Sequence, residues 1–266
     1  MFRIPRWDRR CAYGHPTSCN PDRSYAADVA QAGVAYRVYA QELGADLYGV
    51  AAAEDFPLFP TKPQPDRFVQ GARSVIVVGM AFTRSTMMSV LRPELSGLAR
   101  RAADSVTNKA QPQGAERFYM DEENALLSRE VSLIAYRMVR RLEREGYSAF
   151  EPTPSKQDAR FRTAPFYHTV AMHLAGMGTM GYNCCIITPE FGPRVWVTSV
   201  ITNRELPAGR PLAEELCDKE RCFRCVNACP SGALDGRGWK NPFLCASYGC
   251  CGTCVAICPR GEQATV

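Results

Sequence analysis

Cys222-x2-Cys225-x3-Cys229-Pro230 and Cys251-x2-Cys254-x3-Cys258-Pro259 decide the organisation of this chain. Both motifs lie in the stretch Cys217–Cys258, which holds nine of the 13 cysteines. Two cysteines separated by two residues can reach one small inorganic group from a single tight turn, whereas the cysteine before the proline points away towards a neighbouring group. The duplication therefore predicts two adjacent groups that share the thiolates of both motifs.

The spacing of these cysteines is typical of the ligands of bacterial two-cluster ferredoxins, which bind 4Fe–4S clusters. Zinc also accepts pairs of cysteines separated by two residues, but a duplicated motif with proline after the last cysteine is not the usual zinc spacing. A disulfide framework is typical of small secreted domains, and no signal peptide is visible. The sequence therefore favours two 4Fe–4S clusters.

Composition places the chain among globular proteins. Its 266 residues are 46% hydrophobic, which is enough for a core, and no apolar run reaches the roughly 18 residues that would span a bilayer. Arg9-Arg10 resembles part of an export signal, but no apolar stretch follows it, so we expect a cytoplasmic protein with reduced cysteines. The net charge of +5 permits an anionic ligand without requiring one.

The remaining sequence predicts an irregular arm (1–22), a mixed α/β body (23–205) and a small ferredoxin module (206–266). Ser74–Phe82 is apolar on both faces, which predicts a central strand covered on both sides. Glu122–Glu145 predicts an amphipathic helix with Leu127, Val131, Ile134, Met138 and Leu142 on its buried side. A further helix is predicted over Arg23–Leu43, with Val29, Val34, Val38 and Leu43 on its apolar side.

Gly176-x-Gly178-x2-Gly181 has the spacing of a dinucleotide-binding fingerprint, but that fingerprint must follow a strand and open a helix. Here the glycines follow a predicted helix, Pro165–Leu174, and precede the strand-like Cys184–Thr188. We therefore reject a dinucleotide site and predict a tight turn or a close approach to a ligand. Cys184–Thr188 and Arg194–Thr202 are predicted to form a β-hairpin, in which Cys184 and Cys185 point to opposite faces.

Several stretches outside the cysteine motifs carry a family resemblance. They are His168–Asn183, Ile187–Val195 and Val200–Thr202, with Gly44–Val50, Ala72–Gly79 and Glu145–Tyr147 further upstream. With the cysteine runs, they make the chain similar to the superfamily of epoxyqueuosine reductases and reductive dehalogenases from about residue 25 to residue 260.

The resemblance implies a nitroreductase-like fold that binds base-off cobalamin and carries a bacterial-type module with two 4Fe–4S clusters. It also implies an oxidoreductase in which electrons pass through the clusters to cob(II)alamin for reductive cleavage of a substrate. By motif position, the cluster nearer the cobalamin would take Cys217, Cys222, Cys225 and Cys258, and the outer cluster would take Cys229, Cys245, Cys251 and Cys254.

Two departures from the superfamily's pattern affect the cluster ligands. Four residues separate Cys217 from Cys222 where the superfamily usually has two, so that loop is expected to bulge. Cys250 is an additional thiol beside Cys251, so either of them can be the ligand.

The resemblance also suggests residues that contact the corrinoid, mainly through close backbone approach: Gly176, Gly178, Gly181, Asn183, Cys184, Thr188, Pro189 and Gly192. The alternative is that the glycines only shape a turn and helix packing. Candidate proton donors are His168, Tyr167, Tyr119 and His173. A histidine whose pKa lies near neutrality suits protonation of a leaving group, and the alternative is a histidine packed near the core.

The residues that mark the tRNA-modifying branch of the superfamily are replaced in this chain. Arg162 stands where epoxyqueuosine reductases have an acidic proton donor, His168 where they have a glutamate, and Tyr182 where they have a lysine. The short C-terminus after Cys258 leaves no helical-repeat domain for gripping tRNA. Respiratory dehalogenases are longer and exported. We therefore expect a small-molecule substrate and disfavour a nucleic acid or membrane partner.

Two other functions remain compatible with the sequence. The chain could reduce, reactivate or process a corrinoid carried by another protein, or it could be a flavin-dependent or cofactor-free ferredoxin-like carrier. In each case we expect an external electron donor of the ferredoxin or flavodoxin type.

Overall fold

The computed structural model of this chain describes residues 24–58, 63–91, 118–153 and 164–260. The predicted arm (1–22) lies outside these residues. So does Arg162, one of the positions at which the chain departs from the tRNA-modifying branch.

A four-stranded antiparallel sheet forms the centre of the body. Its strands lie in the order β1–β2–β6–β3, and their bounds are Leu47–Ala52 for β1, Ser74–Ala81 for β2, Ala149–Phe150 for β3 and Val195–Thr202 for β6. The register sets Ser74 opposite Ala52 on one side and opposite Thr202 on the other. A second, two-stranded sheet pairs β4 (Thr179–Met180) with β5 (Ile186–Ile187).

The described helices of the body are α1 to α5. Their bounds are Ser24–Glu42 for α1, Pro65–Phe68 for α2, Arg84–Val90 for α3, Phe118–Arg144 for α4 and His168–Leu174 for α5. The C-terminal module has three short helices, which are α6 (Arg224–Asn227), α7 (Pro242–Ser247) and α8 (Thr253–Ala256). No helix among the described residues is long and apolar enough to cross a membrane.

Both faces of β2 are buried, as its sequence predicts. Ile76 and Val78 pack with α1 and α4, whereas Val75 and Val77 pack with α5 and Phe166 on the opposite face. Successive side chains of a strand point to opposite faces, so an uninterrupted apolar run fills two cores at once. Continuous apolar runs are typical of parallel sheets, but this one lies between antiparallel neighbours.

The long helix α4 buries the stripe that its periodicity predicts, since Leu127, Val131, Ile134, Met138 and Leu142 are all buried. The predicted face of α1 is wrong at Val34 and Val38, whereas Leu43 packs against the core as predicted. Val34 is 63% exposed and Val38 is 45% exposed, while the buried side is Ala32, Tyr36 and Ala40. The small side chains of Ala32 and Ala40, each four residues from Tyr36, let α1 lie close to the sheet. The two valines therefore remain on the exposed side of the helix.

The predicted β-hairpin is also wrong. Ile186 and Ile187 pair with Met180 and Thr179 rather than with β6, and β6 pairs with β2 along eight positions. The turn between β5 and β6 is closed by the backbone of Thr188 and Gly192, each donating to the other at 2.9 to 3.0 Å. This turn directs β6 into the main sheet, where β2 supplies a longer partner.

The residues that follow β6 stay on the body before the chain enters the module. Leu206 is buried in the core between α1 and α4, and its N–H donates to Ser74 Oγ at 3.0 Å. Gly209 N–H donates to Val50 O at 2.8 Å and so lies along the edge of β1. The predicted division at residue 206 therefore falls within a segment that packs on the body.

A cluster around Glu145 joins three parts of the body. Its carboxylate accepts hydrogen bonds from Tyr36 Oη at 2.8 Å, Arg204 Nη1 at 2.6 Å and Arg141 Nε at 3.0 Å. Burial alone would raise the pKa of Glu145, but the hydrogen bonds from Tyr36 and Arg141 and the charge of Arg204 lower it below its usual value. The carboxylate thus ties α1 and the segment after β6 to the end of α4.

Replacing Met138 by alanine tests the α4 core. Met138 is fully buried, so Met138→Ala should reduce the free energy of unfolding by about 2–5 kcal/mol, since it removes apolar contacts and leaves a cavity. Leu126→Ala on the same helix is the control, because Leu126 is exposed and the change should be within about 0.5 kcal/mol. Anaerobic urea unfolding measures both. Equal losses would contradict the assigned buried face.

Replacing Glu145 by glutamine tests the carboxylate cluster. A lowered folded-state pKa contributes stability above the unfolded-state pKa, which is lost as the pH falls through the folded value. Glu145→Gln should therefore be less stable than the parent protein at pH 7, and the difference should shrink below about pH 4. Thermal unfolding between these pH values measures it. A difference independent of pH would show that the carboxylate charge is not the stabilising element.

Candidate functional site

Four cysteines from both ends of the module gather into one group. Burial and the charges of Cys258, Cys217 and Cys222 raise the pKa of Cys225 to about 11. Like-charged thiolates raise each other's pKa only at short range, so these four thiols are neighbours. They are the set that the resemblance implies for the inner cluster.

The loop between Cys217 and Cys222 is accommodated by a turn. Lys219 N–H donates to Cys217 O and Cys222 N–H donates to Asp218 O, both at 2.9 Å. The two additional residues therefore fold back on themselves and leave both thiols in the first group.

The second group of cysteines includes thiols beyond the predicted outer set. Burial raises the pKa of Cys254 above its usual value, and the charges of Cys185 and Cys251 add to this effect. The pKa of Cys245 is raised first by a hydrogen bond with Cys250 and then by burial, with a contribution from Cys254. Cys245, Cys251 and Cys254 of the predicted outer set are thus close together, and both Cys185 and Cys250 lie beside them.

Cys229, the fourth predicted outer ligand, has a polar environment. Its thiol lies 3.6 Å from Ser231 Oγ. Burial acts to raise the pKa of Cys229, but hydrogen bonds from Ser231 and from the backbone N–H groups of Ala233 and Leu234 lower it. Such N–H donors stabilise a thiolate, which is the form that ligates iron.

All cysteines of the described part of the chain are thiols rather than disulfides. Within those same residues, no group of three or more histidine, cysteine, aspartate or glutamate side chains surrounds a position suited to a single metal ion. Cys11 and Cys19 lie outside the described residues.

The glycine-rich turn joins the body to the module. Asn183 Nδ2 donates to Cys254 O at 3.4 Å, and Cys184 Sγ donates to Gly238 O at 3.4 Å. Thr179 Oγ1 accepts from Leu216 N–H at 2.9 Å, where the chain enters the module. The segment that the resemblance connects with a cofactor is therefore the surface on which the cysteine groups rest.

Each glycine of this turn is in tight contact with the protein itself. A Cβ on Gly176 would lie 2.3 Å from Arg210 O, a Cβ on Gly178 would lie 2.3 Å from Ile187 O, and a Cβ on Gly181 would lie 2.7 Å from Asn183 Oδ1. Gly192 has a φ of 58°, and Thr188 Oγ1 donates to its carbonyl at 3.2 Å. These residues are required by the packing of the turn, and their predicted contact with a corrinoid stays a prediction, as does that of Pro189.

Cys184 and Cys185 do not lie in a strand, contrary to the prediction. Cys184 has a φ of 56°, and Cys185 N–H donates to Asn183 Oδ1 at 3.1 Å. The asparagine side chain thus closes a turn that brings both thiols towards the module. The charge of Cys185 contributes to the raised pKa values of Cys254 and Cys258, so Cys185 lies between the two cysteine groups.

Two predicted proton donors lie on α5 and its approach. His168 is buried, with Nδ1 2.9 Å from Ser199 Oγ and its ring against Phe166. His173 is half-buried, with Nδ1 3.4 Å from Gly178 O. The structure thus holds His168 in the core behind β6. Tyr167 is half-buried beside it. Tyr119 belongs to the first turn of α4, and its side chain lies outside the described part.

The opposite face of β6 carries polar groups that the sequence did not reveal. Trp196 and Thr198 point towards α4, because they alternate with Ser199 along the strand. Thr198 Oγ1 donates to Glu151 Oε1 at 3.2 Å. Burial raises the pKa of Glu151 above its usual value, against the hydrogen bond from Thr198. Glu151 is therefore a carboxyl group that retains its proton to a higher pH than an exposed glutamate.

Two buried polar atoms on this face have no hydrogen-bond partner within the described ranges. They are Trp196 Nε1 and Asn124 Oδ1. Trp196 packs with Leu127, and Asn124 lies one turn before Leu127 on the same side of α4. We call Asn124, Glu151, Trp196 and Thr198 the polar face of β6.

The polar face adjoins the module. Val255 and Ala256 of α8 pack against the apolar cluster of Phe82, Met87 and Leu127, which also contacts Trp196. A cavity of about 50 Å³ between α3, Arg194 and α8 reaches Cys258. One short helix therefore separates the polar face from the first cysteine group.

A second cavity, of about 520 Å³, lies between α1, β1 and the segment 207–209, and Gly176 borders it. None of the residues that line it is a cysteine. Its charged side chains, Arg37 and Glu190, have opposite signs. The cysteine groups and this cavity are thus separate features.

Curated proteins are similar to this chain in sequence. An epoxyqueuosine reductase from Bacillus anthracis is 25% identical over 268 residues, covering 84% of this chain and 63% of that protein. A tetrachloroethene reductive dehalogenase from Sulfurospirillum multivorans is 36% identical over 32% of this chain and 22% of that protein. No protein-family model matches the chain.

Solved structures share the fold over nearly the whole chain. An epoxyqueuosine reductase with a tRNA stem loop matches 89% of this chain and 67% of that chain, with a TM-score of 0.58 and 17% identity. A reductive dehalogenase described as B12-dependent matches 93% of this chain and 34% of that chain, with a TM-score of 0.63 and 20% identity.

In sequence and in fold, this chain is similar to the superfamily of epoxyqueuosine reductases and reductive dehalogenases. Its mixed α/β fold and cysteine-rich C-terminus are those of this oxidoreductase superfamily. The chain spans 63% of the length of the Bacillus anthracis relative. Members of the superfamily can thus carry further sequence, and the fold alone does not assign a substrate.

Cys250 and Cys251 compete for the outer position of this superfamily's cysteine pattern. Cys250 is exposed and its φ is 55°, whereas Cys251 is half-buried and its charge acts on Cys254. Cys251→Ala should therefore remove one cluster and lower the iron content from about eight to about four atoms per chain. Cys250→Ala should retain about eight.

Iron analysis and low-temperature EPR of the anaerobic proteins measure both variants. The reverse pattern, with iron lost only in Cys250→Ala, would assign Cys250 as the ligand. Full iron in both variants would contradict the outer ligand set.

Proposed function

We propose that the chain is a reductase that uses two 4Fe–4S clusters and a base-off cobalamin to cleave a small-molecule substrate reductively. The outer cysteine group would hold the cluster that accepts electrons from an external donor, and the inner group would hold the cluster that lies next to the body. The observation that carries the proposal is the position of Cys258, which borders the cavity beside α8, next to the polar face of β6.

The proximity of the cysteine groups supports an electron path. Electron transfer falls steeply with distance, so a path requires successive centres that are close together. Cys254 and Cys258 belong to different predicted sets, and Val255 and Ala256 between them pack on the body. The same short helix thus contacts both predicted centres and the proposed cofactor pocket.

The polar face of β6 presents buried polar atoms that suit the amide groups of a cofactor. Trp196 Nε1 is a buried donor and Asn124 Oδ1 is a buried acceptor, and neither has a partner in the described structure. Burying such atoms without partners is costly, so a bound group that supplies an acceptor and a donor offsets this cost. The amide side chains of a corrinoid supply both.

Cobalamin, when bound, supplies a low-potential metal centre able to reduce a carbon–halogen or carbon–oxygen bond. The protein's part in the reaction is to position the substrate and to deliver a proton. Glu151 suits the second role because burial raises its pKa and Thr198 holds its Oε1. A protonated carboxyl group can act as a general acid, so Glu151 is the proposed proton donor on this face, whereas His168 lies in the core on the opposite side of β6.

The electron donor is proposed to be a small redox protein of the ferredoxin or flavodoxin type. Cys245 is half-buried on α7, and its neighbours Phe243 and Leu244 are exposed. The predicted outer group is thus close to the surface, as an inlet from another protein requires.

Cobalamin binding tests the proposal directly. Hydroxocobalamin titrated into the anaerobic protein should give saturable binding, with the spectral change expected for loss of the lower base. Trp196→Phe should weaken binding about three- to tenfold, because it removes one hydrogen-bond donor. Trp239→Phe is the matched control, since Trp239 is 58% exposed on the module, and its affinity should equal that of the parent protein.

Three results would overturn the proposal. They are no binding of hydroxocobalamin, a flavin bound in its place, or equal weakening by both tryptophan variants. Binding without oxidation of the reduced protein by halogenated or epoxide substrates would favour a protein that reduces or processes a corrinoid.

A further inference from the structure

Lys240 lies in a short hairpin of the module between the two motifs. Leu234 and Lys240 form a β-bridge, flanked by hydrogen bonds from Asp235 N–H to Trp239 O at 3.2 Å and from Asn241 N–H to Ala233 O at 2.9 Å. Trp239 is exposed, whereas Lys240 is half-buried. Because neighbouring side chains of a strand alternate, the lysine points into the module while the tryptophan points outwards.

The hairpin holds Lys240 against the cysteines from two directions. Asn241 caps α7 through Oδ1, which accepts from Phe243 N–H at 3.0 Å and Leu244 N–H at 3.1 Å, and its carbonyl accepts from Cys245 N–H at 3.0 Å. On the other side, Cys184 Sγ donates to Gly238 O at 3.4 Å. The lysine therefore lies between the helix that carries Cys245 and the turn that carries Cys184 and Cys185.

The titratable groups that act most strongly on Lys240 are cysteines. The charge of Cys185 acts to raise the pKa of Lys240 more strongly than burial lowers it, and Cys245, Cys254 and Cys184 act in the same direction. No carboxylate of a described residue forms an ion pair with it. By contrast, Lys219 in the same module pairs with Glu215 at 2.8 Å.

We propose that Lys240 is a fixed positive charge that raises the reduction potential of the outer cluster and so favours electron entry there. The inference rests on the proposed two-cluster function. Reduction adds one negative charge to a cluster, and a cation close to its thiolates in a partly buried site stabilises that added charge. Two of the cysteines facing Lys240, Cys245 and Cys254, belong to the predicted outer set, so the effect should be larger there than on the inner cluster.

The test compares Lys240→Gln, Lys240→Arg and Lys219→Gln in the anaerobic full chain without cobalamin. Iron content is measured first, and an EPR-monitored redox titration then gives the potential of each cluster. The signal lost in Cys254→Ala identifies the outer cluster. Lys240→Gln should lower the equilibrium constant for one-electron reduction of that cluster about tenfold, equivalent to ~59 mV towards lower potential. Lys240→Arg should restore most of the change, and Lys219→Gln should produce none.

Other results would overturn either the role of Lys240 or the two-cluster function on which it rests. An unchanged outer potential in Lys240→Gln with full iron content would overturn the role of Lys240 and leave the two-cluster proposal intact. An equal shift in Lys219→Gln would show a general charge effect and also overturn it. Loss of iron from both Lys240 variants would make Lys240 a structural residue instead. Iron missing from the parent protein would overturn the two-cluster proposal itself.

Discussion

The contact between the glycine-rich turn and the module is the constraint on which the other features depend. Asn183 donates to the backbone of Cys254 and accepts from Cys185 N–H, so one side chain fixes both partners. Gly178 allows the turn to lie against Ile187 O, where any larger residue would collide. The position of the cysteine groups relative to the body is therefore set by backbone packing in the turn.

The thiols beside this contact are crowded, and the crowding bears on which groups they can bind. Burial and neighbouring charges raise the pKa values of Cys225, Cys254 and Cys258, so several thiolates in one place are unfavourable without a cation to share them. Coordination of metal removes this repulsion, and the binding free energy then contributes to folding of the module. Clusters bound by these thiols would therefore stabilise the module.

Sequence patterns predicted α4, β2 and β6 because each depends on local periodicity, whereas the cluster ligand sets that the resemblance implies stay a prediction. The pairing partners of the strands were harder to predict, since β6 pairs with β2, about 120 positions earlier, rather than with β5. The turn at Cys184 depends on a positive φ and on Asn183, which no apolar pattern records. The polar face of β6 could be recognised only from the register of the sheet. Lys240 could not be recognised from the sequence because it is a single charged residue in a loop.

Strand β6 divides the body into two environments that share one backbone. The side chains of Ser199 and Ile201 face a core with His168 and Phe166, whereas Trp196 and Thr198 face α4 and the module. Because alternate residues serve opposite sides, a substitution at 196 or 198 reshapes the polar face without altering the core behind it. The strand therefore separates the residues that shape the polar face from those that support the fold.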